Sequence, residues 1–167
     1  MALIFAMILT VLMIMVMITD FTRFTIPNRL VLAFLVVYPI MLVTLGGRPE
    51  WYYDLAIGAG MFLLGFVIFS LKLMGGGDVK LLAASSLFIG KEAFLSFVIG
   101  VALWGGALAL GLLVAREIVP YIYMKLGKKP ESIPKVFTAG QPAPYGLAIA
   151  ASFLMLLWAG QLPSLKL

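Results

Sequence analysis

Apolar residues fall in long runs along the chain, and polar residues are confined to the short intervals between them. From Ala2 to Thr19 the sequence is apolar apart from Thr10 and Thr19. Breaking the chain at its charged and Pro/Gly clusters predicts six spans, at about 2–19, 30–46, 55–71, 79–90, 93–115 and 143–160. A helix needs roughly 18–20 apolar residues to cross a hydrocarbon core about 30 Å thick, and most of these runs approach or reach that length. The fourth is short and carries Ser85 and Ser86, so it has to begin near Asp78 or stop short of the far side. Such a span is tolerable where it lines a wet cavity. The expected fold is therefore all-α: a polytopic membrane protein with about six transmembrane helices, organised as a single membrane-embedded domain over residues 1–167.

Two features refine that picture. The first span lacks the basic start and small-residue cleavage site of a secretory signal, so it reads as a retained helix. Glycines recur inside the spans, at Gly58, Gly60 and Gly65 in the third and Gly100, Gly105, Gly106 and Gly111 in the fifth. They are expected to let helix backbones approach closely.

Composition excludes whole classes of function. Hydrophobic residues make up 63% of the chain and charged residues 11%, with a mean hydropathy of +1.14, which no soluble domain of this size can hide. Cysteine and histidine are both absent. That removes disulfides, thiolate zinc sites, cysteine nucleophiles, Ser-His and Cys-His catalysis and the HExxH metal motif. No cofactor or metal site is read from what remains.

The net charge of +5 does not indicate a nucleic-acid partner, because the basic residues sit in short loops. The intervals 20–29, 72–80 and 116–141 hold Arg23, Arg29, Lys72, Lys80, Arg116, Lys125, Lys128, Lys129 and Lys135, whereas the others hold Arg48, Lys91 and Lys166. The positive-inside rule then puts both termini outside the cytoplasm and Asp20 and Asp78 at its edge. In the 116–141 stretch, Pro120, Pro130, Pro134 and the Lys128-Lys129 pair argue against one long helix. It reads as a basic connector near anionic headgroups, with substrate guidance as the alternative.

The chain has seven carboxylates. Glu50 and Asp54 stand beside Trp51, Tyr52 and Tyr53 in a short loop, Glu92 adjoins Lys91, Glu117 follows Arg116, and Glu131 lies in the basic stretch. All five have structural explanations. Asp20 and Asp78 differ, since one ends the first apolar run and the other follows Gly75-Gly76-Gly77 at the start of the fourth. Acids at a hydrocarbon boundary are costly and usually face the bundle interior. Two such groups in contact share a proton, so that one can activate water while the other polarises a carbonyl. The structural alternatives are that Asp78 caps its helix and that Asp20 is a solvated partner of Arg23. The three glycines permit unusual backbone conformations or close approaches, but they lack the pattern of a phosphate loop.

Gly75-Gly76-Gly77-Asp78-Val79-Lys80 resembles the Gly-x-Gly-Asp motif of the membrane aspartyl peptidases that process type IV prepilins and archaeal preflagellins. Asp20 followed by Ile26-Pro27-Asn28 is similar to that family's first-acid region, and Pro144-Tyr145-Gly146 resembles its Pro-aromatic-Gly element. The resemblance implies an aspartyl endopeptidase that needs no cofactor, with Asp20 and Asp78 catalytic. As the resemblance implies, it removes the short basic leader of a prepilin or pilin-like precursor at the cytoplasmic face of the inner (plasma) membrane, and its partners are that precursor and membrane lipid.

Gly75, Gly77, Lys80, Pro27 and Asn28 are the supporting residues implied. Lys80 either acts on the acid pair or anchors to headgroups, while Pro27 and Asn28 shape the turn into the second span. The larger bacterial members carry a cysteine-rich zinc domain linked to N-methylation. This cysteine-free chain resembles the short, peptidase-only members that serve tight-adherence (Flp-type) pili, and no N-methyltransferase domain is expected. The alternative from another class is a small proton- or cation-coupled transporter, or a structural subunit of a secretion complex, with the same two acids as an ion site.

Overall fold

The computed structural model describes residues 1–163 and 165, so Lys166 of the charge census lies outside the described residues. Five α-helices follow one another: α1 (Ala2–Arg23), α2 (Asn28–Thr44), α3 (Trp51–Ser70), α4 (Gly76–Lys125) and α5 (Tyr145–Trp158). Two short 3-10 turns, Pro130–Ser132 and Lys135–Phe137, lie between α4 and α5, and no strand occurs among the described residues. The helices α1, α3 and α4 are long and apolar enough to cross a membrane, while α2 and α5 are shorter. Their outer faces are apolar, as at Leu3, Met7 and Val11 on α1 and Leu63, Phe66 and Val67 on α3, all exposed. A helix apolar all round suits a lipid environment.

The fourth and fifth expected spans are the two arms of α4. At Gly90 the backbone takes φ 66° and ψ 172°, non-helical values inside an otherwise continuous helix. A side chain there would be strained, and its Cβ would meet Glu92 Oε2 and Pro163 Cγ, both at 3.1 Å. The chain therefore breaks direction where a glycine allows it. The second arm corrects an expectation, because the helix runs through Pro120 to Lys125 instead of ending near residue 115. A proline removes one hydrogen bond and bends a helix, but it does not end this one. The chain leaves the helix before Pro130 and Pro134, where the two short turns form.

Burial of apolar area does little to bring helices together in lipid, so close packing and internal hydrogen bonds carry the assembly. The core is an aromatic cluster in which Phe34, Tyr38, Phe88 and Phe153 meet edge to face, with ring centroids 5.3–6.3 Å apart. Pairs of this kind are worth about 0.5–1.5 kcal/mol each beyond area burial. Polar side chains inside the spans are satisfied locally. Ser85 and Ser86 both donate to the Leu82 carbonyl, Ser152 donates to that of Phe97 across the α4–α5 contact, and Trp158 Nε1 donates to Thr10 Oγ1 between α5 and α1.

The glycine expectation holds in part. Gly58 and Gly65 press on Leu87 and Val79, which packs α3 on α4, and Gly100 touches Ser152. Gly60, Gly106 and Gly111 face open space instead, so close packing does not explain them.

At the opposite end of the bundle from Asp20 and Asp78, Asp54 corrects another expectation. It is not an interfacial loop residue but lies in the first turn of α3, 1% exposed. Tyr38 Oη donates to its Oδ2 at 2.8 Å, and Arg48 pairs with it at 3.2 Å. Lys91 pairs with Glu50 at 2.7 Å rather than with its neighbour Glu92. This polar knot joins α2, the loop before α3 and the break at Gly90.

Val79, packed on Gly65, is β-branched and cannot easily turn aside, since a Cβ at position 65 would lie 2.8 Å from Val79 Cγ1. Gly65→Leu is predicted to destabilise the folded protein by about 1–3 kcal/mol. Thermal unfolding in detergent checks it, and an unchanged midpoint would show that α3 does not need this close approach.

Candidate active site

Helix α1 stops one turn after Asp20. Phe24 adopts the left-handed conformation (φ 52°, ψ 33°), and its N–H bonds back to the Asp20 carbonyl at 2.9 Å. The chain then runs through Thr25 and the buried Ile26 to Pro27, whose extended conformation starts α2, with Asn28 as its first residue. Pro27 and Asn28 thus shape the turn into α2. Lys80, one turn into α4, donates to Asn28 Oδ1 at 3.1 Å, which joins the starts of α2 and α4.

Asp78 is not a helix cap. Gly75 occupies that position, and Asp78 is the third residue of α4 with its carboxyl turned back toward the Gly75 N–H. The carboxylate suits the positive end of the helix dipole. None of Gly75, Gly76 and Gly77 has a positive φ, so the run supplies closeness rather than unusual conformation. A Cβ on Gly75 would lie 2.9 Å from Asp78 Oδ2, and one on Gly77 would lie 3.2 Å from Ile26 Cβ.

The two acids come together. Asp20 is 4% exposed and Asp78 9%, and they lie close enough for their charges to interact. Asp20 makes no ion pair with Arg23 among the described residues, so the solvated-partner alternative does not hold. Both carboxyls line a cavity of about 550 Å³ walled by Phe69, Gly75, Pro142 and Tyr145. They also line a smaller one of about 290 Å³, reached past Asn28 and Lys80. The pair therefore borders both cavities.

The third wall is the start of α5, a contribution that spacing alone does not reveal. The Gly146 N–H faces both acids and the Leu147 N–H faces Asp20. Oδ2 of Asp20 nevertheless has no partner in good hydrogen-bond geometry, although it is buried. A Cβ on Gly146 would lie 2.7 Å from that oxygen and 3.0 Å from Ile26 Cδ1. Ile26 therefore wedges between Gly77 and Gly146 and holds three chain segments around the carboxyls. The Pro-aromatic-Gly element is the signal that could have pointed to this wall.

Among the described residues, no three side chains of the metal-ligating types converge. What the site offers is two carboxyls, backbone donors from two helix N-termini and a cavity large enough for a peptide segment. Carboxyls so placed can pass a proton to and from a group held between them.

Apolar helices gathered around a buried acid pair at one end define a helical membrane protein with a polar site. Residues 7–124 match the type IV leader peptidase family, and the chain belongs to that family. Membership makes it a peptidase of the type IV leader class. The match takes in Asp20 and Asp78 but ends before Gly146, whose part in the site comes from geometry alone. No curated protein and no solved structure matches the chain.

Gly146→Ala is predicted to force the Asp20 carboxyl off the α5 N-terminus. Precursor cleavage should fall by roughly 10–100-fold, while the protein still accumulates in the membrane. Cleavage at the full rate would show that the close approach of Gly146 is dispensable.

Proposed function

We propose that Asp20 and Asp78 are the catalytic residues of an aspartyl endopeptidase that removes the basic leader of a type IV prepilin of the Flp type. The observation carrying this reading is that two acids 58 positions apart in sequence line the same cavity, close enough to interact. One carboxylate takes a proton from water, and the attacking oxygen adds to the scissile carbonyl. The other carboxyl protonates the carbonyl oxygen. As the tetrahedral intermediate collapses, the first carboxyl passes the proton it took from water to the leaving amine, and the second takes its proton back from the gem-diol hydroxyl. The N–H groups of Gly75 and Gly146 face the two side chains and favour their charged forms.

Orientation follows from charge. Lys72 and Lys80 line the cavities beside the acids, and most of the basic residues belong to intervals at that end. The positive-inside rule puts this end in the cytoplasm and both termini on the far side. A leader attached to an apolar precursor helix would then reach the acids from the cytoplasmic rim, its helix lying in the membrane. Gly75 and Gly77 allow the close approach, and Lys80 and Asn28 border the smaller cavity.

Asp20→Asn and Asp78→Asn are each expected to lower conversion of a co-expressed Flp-type precursor by at least about 100-fold, with membrane content unchanged. A mobility shift on denaturing gels reads the conversion. Full processing by either variant would remove the two-acid mechanism, and ion flux without processing would favour the transporter reading.

A further inference from the structure

Arg116 was counted with the topology-setting cations, yet its guanidinium has a defined local task. From the second arm of α4, Nε donates to the Val136 carbonyl and Nη2 to the Pro142 carbonyl, both at 3.1 Å. Among the described residues no carboxylate pairs with it. The two bonds bracket residues 136–142, a strap that is otherwise held by its own side chains. Val136 is 1% exposed, and the Phe137 ring stands edge-on to Phe21 with centroids 6.2 Å apart. Phe21 is the residue after Asp20, and Pro142 lines the cavity that holds both acids. The strap then delivers the chain to Tyr145 and Gly146, the start of α5 against the Asp20 carboxyl.

We propose that Arg116 is a positioning residue for the acid pair, fixing the strap that carries Pro142 and the start of α5 against the site. The proposal rests on the reading of Asp20 and Asp78 as the reacting groups. A planar guanidinium presents donors in a rigid fork and can hold two carbonyls of one strap at once. A lysine keeps the charge and the topology but offers one flexible ammonium, so it cannot reproduce the bracket. Charge and geometry are thus separable by a single conservative substitution.

The chain contains no cysteine, so Val136→Cys supplies one thiol whose reaction with a maleimide in native membranes reports whether the strap is seated. Arg116→Lys in that background is expected to react about 10-fold faster. Without the cysteine, Arg116→Lys is expected to lower kcat for precursor cleavage by roughly 10–100-fold, more than it changes KM. Membrane content by immunoblot separates a folding failure from a released strap, and Arg116→Gln serves where the lysine variant does not accumulate. Labelling no faster than in Val136→Cys alone overturns the tie. Faster labelling with wild-type kcat overturns the positioning role, and full rescue of both by lysine returns Arg116 to topology. Labelling does not depend on activity, so an acid-pair reading lost through active Asp→Asn variants would be recognised separately from a failed strap.

Discussion

Carboxyl groups taken out of water at a hydrocarbon boundary cost several kcal/mol unless donors or charges face them. In this protein main-chain N–H groups face the two acids, although Asp20 Oδ2 has no partner in good hydrogen-bond geometry, and the site is arranged to let them approach. Helix α4 begins just before Asp78, and helix α5 begins against Asp20, so the positive ends of two helices meet the two acids. That convergence is sterically demanding. It works because positions 75, 77 and 146 carry no Cβ: Gly75 leaves room for Asp78 Oδ2, Gly77 for Ile26, and Gly146 for Asp20 Oδ2. Basic side chains are not the main partners of either acid. The nearby Lys80 bonds to Asn28 instead.

Holding three chain segments around two carboxyls requires the rest of the bundle to be stiff. Helix α5 is fixed to α4 through Ser152 and the Phe97 carbonyl, and to α1 through Trp158 and Thr10. Helix α3 packs mainly on α4, and Gly58 and Gly65 lie against Leu87 and Val79 there. Val79, pressed by Gly65, is the residue after Asp78, so the α3–α4 contact fixes the first turn of α4 directly. At the far end, the buried Asp54 with Tyr38 and Arg48 ties α3 to α2, and the Gly90 break lets α4 turn beside it. Lipid supplies little driving force for such contacts, so shape and satisfied hydrogen bonds carry them.

Much of this was legible along the chain, for physical reasons that can be named. The apolar runs reveal helices because a bilayer demands that backbone polar groups be paired internally, and a barrel strand would alternate apolar and polar residues instead. The acids at 20 and 78 stand out because so few charges interrupt those runs. Less legible were features that depend on what lies opposite. Asp54 reads like a loop acid beside aromatic residues, and nothing in its neighbours announces that Tyr38 and Arg48 will bury it. Gly58 and Gly60 look alike in sequence, yet one meets Leu87 and the other meets nothing. Helix α4 crosses Pro120, although proline is ordinarily a stop signal, because a proline removes one bond of the ladder and bends the helix without having to end it. Gly146 sits far along the chain from both acids; its Pro-aromatic-Gly setting stands out in the sequence, but only the fold shows its N–H facing both of them.

The basic residues show the same limit from another side. A topology census counts every Lys and Arg as one unit of charge, which is correct for a rule about translocation. The folded chain spends those units differently. Arg48 neutralises a buried carboxylate, Lys91 joins an exposed pair with Glu50, Lys80 bridges two helix starts, and Arg116 brackets a strap through two carbonyls. Charge alone would let lysine and arginine exchange freely at all of these positions. Geometry does not, since two acceptors on one strap call for a planar fork, whereas a single amide oxygen is served by an ammonium. The identity of each cation therefore carries structural information beyond its sign, and at Arg116 that information points back to the wall of the acid cavity.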